Sequence, residues 1–184
     1  MAIPIGGNLA TMKGFPEVMT RLNAEIKLIK GKTYGGLLQA AIFIRRKTEE
    51  SYPKTPVDKG NLRASWFAVT AKGEAQDSLN EGGFKSNPET GVKASKMRSD
   101  HTALKNEAKG MSGGTEPVVI TGFSAFYAAP VHEMKDADFT GAKARGKSKK
   151  RERRDGNGPF YLKTHIERNS KQIVQVIADN IRIK

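Results

Sequence analysis

The chain of 184 residues contains no cysteine. A disulfide framework and a cysteine-based zinc site are therefore excluded. No apolar run approaches the roughly 20 residues of a membrane span. The opening MAIPIGGNLATMKG has no charged stretch leading into an apolar one, which predicts no secretion signal. Histidine is scarce: His101, His132 and His165 stand far apart. His132-Glu133 is not followed by the second histidine of a zinc-protease helix. No phosphate-cradling GxxxxGK[ST] occurs, and GxSxG is absent. Asp58, Glu133 and Asp136 are acids that could hold magnesium, but no spacing ties them together. These absences predict a non-enzymatic chain with no cofactor, no catalytic residue, no metal site and no membrane contact.

What the chain has in excess is positive charge. The formal net charge is +13. Such an excess points to nucleic acid or an acidic protein surface. Much of it sits in one segment: Lys143, Arg145, Lys147, Lys149, Lys150, Arg151, Arg153 and Arg154, opposed within that run by Glu152 alone. The charge thus belongs to a loop more than to a fold. Three readings stay open for it: contact with DNA phosphates, docking on an acidic neighbour, or a solvated loop. Aromatic residues are not interleaved with the basic ones, so stacking on single strands is not indicated.

Residues 1–14 read as an arm, broken by Pro4, Gly6, Gly7 and Gly14, with Ile3, Ile5 and Leu9 free to dock. Residues 16–30 read as an amphipathic helix ending at Gly31, with Val18, Met19, Leu22, Ile26 and Ile29 at helical spacing. A stronger helix is expected over 34–50, with Leu37, Leu38, Ala41, Ile42 and Arg45 on one side. Strands are expected at 64–72 and 117–123, the second with an apolar run that suggests burial on both faces. Residues 73–116 are rich in glycine and polar residues and predict a surface insertion with little core of its own, a short helix near 99–109, and extra strand structure continuing the sheet. Its Phe84, Val92, Met97, Leu104 and Met111 are expected to meet a neighbouring subunit. Residues 135–157 form a second, basic insertion. The last helix is expected from Pro159 to Ile181, lined by Leu162, Ile166, Ile173, Ile177 and Ile181.

Between helix and strand lies SYPKTPVDKGNLRASWF, residues 51–67. Pro53 and Pro56 bias their predecessors away from helix. Asp58 can turn the chain, Gly60 can take a positive φ, and Leu62 and Trp66 are four apart, so a turn of helix here would put both on one face. Both are expected to be buried. The motif TPVDKGNLRASW resembles a signature of tailed-phage neck and head–tail joining proteins, the minor-tail or tail-completion family. Its matching residues are Thr55, Pro56, Val57, Asp58, Gly60, Leu62, Arg63, Ser65 and Trp66. Two further segments match in order. FYAAPVHE contributes Tyr127, Ala128, His132 and Glu133, and GPFYLKTHIE contributes Pro159, Phe160 and Leu162. The chain departs from the family in its two insertions, and Met134-Lys135 replaces the usual continuation after Glu133.

The expected fold class is α+β: one domain over 15–184, with a small antiparallel sheet packed by two or three helices, an N-terminal arm, and insertions at 73–116 and 135–157. The resemblance implies a structural virion protein, a homo-oligomeric ring in the neck between head and tail. It would assemble in the host cytoplasm, contact head-connector and tail-terminator proteins, and surround the DNA passage. Genomic DNA in the channel is a candidate contact. The alternative from composition is a sequence-independent nucleic-acid-binding protein that works through residues 143–154. Arm and insertion are expected to be mobile in a free subunit, because ordering costs roughly 1–2 kcal/mol per residue.

Overall fold

The computed structural model describes residues 15–57, 60–71, 75–77, 83–88, 91–111, 116–134 and 157–182. Helix α1 runs from Phe15 to Glu50 as one element. The two helices expected on either side of Gly31 are therefore a single helix, about 54 Å long. Gly31, Gly35 and Gly36 each cost a helix interior about 1 kcal/mol against alanine. At Gly36 close packing offsets that cost. A Cβ there would meet the Ile177 carbonyl oxygen at 3.0 Å and the Asn180 Cβ at 3.2 Å. Gly36 thus lets the last helix lie against α1. Further along, Tyr34, Leu38, Ala41, Ile44 and Thr48 are buried. The helix stops where the prolines demand: Ser51 N donates to Lys47 O at 3.1 Å, and Thr55 N turns back to Thr48 O at 2.8 Å.

A one-turn helix, α2 (Asn61–Ala64), leads into strand β1 (Trp66–Thr70). Strand β2 (Ala75–Asp77) and strand β3 (Val119–Phe123) flank β1, both antiparallel, in the order β2-β1-β3. Trp66 faces Phe123 and Val69 faces Ile120 in register, while Phe67 pairs with Asp77 on the other side. This is the α+β class expected, and β2 is the strand expected inside the insertion. Burial on both faces, however, belongs to β1. All five β1 residues are buried, whereas every β3 residue is only partly so. The central strand, not the apolar-looking edge strand, is covered on each side.

The two faces of β1 pack against different layers. Trp66 and Ala68 meet Leu38 and Ala41 of α1. Phe67 and Val69 meet Ala108 of helix α3 (Ala94–Met111). The described part of the insertion is therefore part of the core, against expectation. Phe84, Met97, His101 and Ala108 are all buried, and Val92 packs beside them. Only Leu104 and Met111 of the apolar residues expected to meet a neighbour stay exposed. The reason is the sheet. Without α3, Phe67 and Val69 would face water.

A short helix, α4 (Ala128–Glu133), follows β3. The last helix is split into α5 (Tyr161–Arg168) and α6 (Ser170–Ile181). Asn169 makes the break, its side-chain amide donating to His165 O at 2.8 Å. The expected stripe holds at Leu162, Ile173, Ile177 and Ile181, which are partly buried, and fails at Ile166. Tyr161 and His165 carry the burial in α5, Ile166 is exposed, and α6 has no fully buried residue.

Candidate assembly site

The turn into α2 rests on Gly60, whose φ of 87° lies in the left-handed region. A side chain there would be strained whatever space surrounds it. Next to it, buried Asn61 donates through Nδ2 to Lys85 O at 2.8 Å and accepts from Lys85 N at 2.7 Å. One amide side chain thereby takes both backbone groups of a residue 24 positions away and ties the insertion to the loop. Leu62 is buried in the largest apolar cluster, with Ala128 and Tyr161. Ser65 is fully buried; its Oγ donates to Leu62 O at 2.7 Å, and its carbonyl accepts from Ser124 N at 2.8 Å. Trp66 is 2% exposed, as expected, with the Arg45 guanidinium 4.9 Å from its ring centre. Its indole Nε1 is buried without an acceptor among the described residues.

The segments 126–133 and 158–167 close on this loop. Phe160 N donates to His132 O at 2.7 Å. The His132 ring lies edge-on to Tyr161 at 4.9 Å and to Phe160 at 5.7 Å. His132 Nε2 accepts from Lys163 N at 3.3 Å, which sets the neutral ring with its proton on Nδ1. Burial lowers the His132 pKa; Glu133 opposes that shift and Lys163 adds to it. Phe160 holds a positive φ of 54° at the start of α5. The Tyr161 hydroxyl donates to Ala128 O at 3.3 Å, and burial pushes its pKa up.

Residues 52–54 are fixed from the same side. His165 Nε2 donates to Pro53 O at 3.1 Å, and Arg168 Nη1 to Tyr52 O at 3.0 Å. Gly158 N donates to Lys54 O at 3.3 Å, and a Cβ on Gly158 would sit 3.0 Å from the Pro53 Cβ. Thr55 is buried, Pro56, Val57 and Arg63 are partly buried, and Glu133 is exposed. Pro159 and Leu162 are partly buried at the junction.

Between the loop and the insertion lies an apolar groove of about 370 Å³, walled by Pro56, Leu62, Val92, Met97, Tyr127 and Val131. Phe126 stands at its rim, 72% exposed and edge-on to Tyr127 at 5.2 Å. A phenyl ring left in water beside an apolar groove is a feature of interaction and ligand-binding surfaces. Among the described residues no group of three His, Cys, Asp or Glu could hold a metal ion, and no helix is long and apolar enough to cross a membrane.

Sequence reasoning missed Asn61, Phe126, Tyr161, His165 and Gly158. The signals were present: an asparagine beside the turn glycine, the Phe-Tyr doublet, and Tyr161 and His165 at helical i, i+4 spacing. Asp58 and Asp136, the basic run Lys143, Arg145, Lys147, Lys149, Lys150, Arg151, Arg153 and Arg154, and the arm residues Ile3, Ile5 and Leu9 lie outside the described residues. No family model, curated protein or solved structure matches this chain.

Proposed function

We propose that this chain is a structural protein of a tailed-phage neck, forming a ring that joins the DNA-filled head to the tail. One observation carries the reading. Three short segments that resemble the same family, spread over a hundred residues of chain, pack as one unit around Leu62, Ala128, His132 and Tyr161. The unit presents an apolar groove and an exposed phenyl ring, features suited to subunit contact. Head-connector and tail-terminator proteins are the neighbours such a ring would touch. Residues 143–154 would then face DNA in the channel or an acidic neighbour.

The test is electron microscopy of particles made with and without this chain. A ring at the head–tail junction, and unjoined heads and tails in its absence, are expected. A soluble protein that shifts DNA in gels and is missing from particles would replace this reading with the nucleic-acid-binding one.

A further inference from the structure

The first half of α1 has an apolar face that nothing in the described fold covers. Every residue from Glu17 to Lys30 is exposed. Met19, Leu22, Ile26 and Ile29 are 39%, 50%, 42% and 40% exposed. Helix α6 covers α1 at Gly36 but ends beside Lys32, whose Nζ donates to Arg182 O at 3.4 Å. The sequence pattern looks like a core-facing stripe, yet the body of the protein begins only past it.

The spacing of these four residues is 3, 4, 3, the seam of a coiled coil. Met19 and Ile26 take the a positions, and Leu22 and Ile29 the d positions. Charge selects the direction of the strands. With this register Glu25 occupies g and Lys30 occupies the following e. Parallel strands bring Glu25 of each copy to Lys30 of the other, twice per pair. Antiparallel strands bring the two Glu25 side chains together. The helix is also already nucleated by its packed half, so a seam of two heptads need not form helix from coil.

We infer that residues 18–30 of α1 pair in parallel with the same segment of a second copy of this chain. The inference stands apart from the ring reading: pairing in solution is expected whether or not the protein is found in a phage neck.

The chain has no cysteine, so single cysteines report cleanly. Leu22→Cys is expected to form a disulfide-linked dimer on mild oxidation, and Lys27→Cys, on the outer face, is not. By light scattering the wild type should have the mass of a dimer at high micromolar concentration. Ile26→Asp should be monomeric, with the Trp66 emission of the wild type showing that the body is folded. Glu25→Lys should weaken pairing by roughly tenfold, since two attractive pairs become repulsive. Glu25→Lys combined with Lys30→Glu should restore it. A monomeric wild type, including one in which residues 1–14 cover the stripe, would overturn the inference. So would failure of the double exchange to restore pairing, the result an antiparallel or unrelated contact gives.

Discussion

Trp66 shows how one side chain joins two layers of the fold. It pairs in register with Phe123, packs on Leu38 and Ala41, and carries Arg45 over its ring. Trp66→Ala should destabilise the protein by about 3–5 kcal/mol, read from denaturant midpoints. Trp66→Phe should cost well under half of that, because it also removes an indole N–H that is buried without an acceptor among the described residues. His132 makes a prediction with a sign. Its folded pKa is lowered by burial, so protonation favours the unfolded chain. Its stabilising contribution is whole above the ordinary histidine value of 6.5 and is lost as pH falls through the lowered folded value. Unfolding midpoints should therefore drop on acidification through this window, and His132→Gln should flatten that part of the profile. An unchanged slope in the variant would remove His132 from the account.

At the scale of elements, two adjacent glycines in α1 should behave oppositely. Gly35 has open space where a Cβ would stand, so Gly35→Ala should stabilise by up to about 1 kcal/mol through helix propensity. Gly36→Val should destabilise, because the nearest atom is the backbone oxygen of Ile177, which cannot swing aside. Thermal melting of the two variants checks both signs. The insertion offers a second comparison. Hydrogen exchange in the free subunit should be slow at buried positions of α3 such as His101 and Ala108, which complete the core over β1. Asn61→Ala should speed exchange at the Lys85 amide, whose acceptor it removes. The helices around residues 20 and 40, the stop near Ser51, and the strands near 66–70 and 119–123 are all legible in spacing and prolines. The fusion of the two helices and the core role of the insertion are not. A single glycine such as Gly31 costs a helix only about 1 kcal/mol, which the packing of its neighbours further along can offset. A polar helix looks loose until the strand it covers is known to be apolar on both faces.

For the whole molecule, the densest run of charge, residues 143–154, lies outside the described residues, and its role is decided by partners. If residues 143–154 meet DNA, neutralising Lys147, Lys149, Lys150, Arg151, Arg153 and Arg154 should flatten the salt dependence of DNA binding. If they dock on an acidic neighbour, the same change should leave DNA binding alone and weaken joining of heads to tails. No effect on either would leave them as a solvated loop. The groove makes a separate prediction. Phe126 contributes little to the core, being 72% exposed, so Phe126→Asp should leave stability within about 0.5 kcal/mol and, on the proposed neck function, lower incorporation into particles.

By itself the sequence determined the local decisions: where prolines end α1, where Gly60 turns the chain, where β-favouring residues extend it, and which three segments resemble one family. Those depend on φ preferences and on neighbours within one turn. Only the tertiary structure decided which face of each element is buried. The stripe on the first half of α1 and the polar-looking α3 have exchanged the roles their composition implies. Burial is a property of what lies opposite. Helix α3 lies opposite Phe67 and Val69, whereas nothing in the described fold lies opposite Met19, Leu22, Ile26 and Ile29.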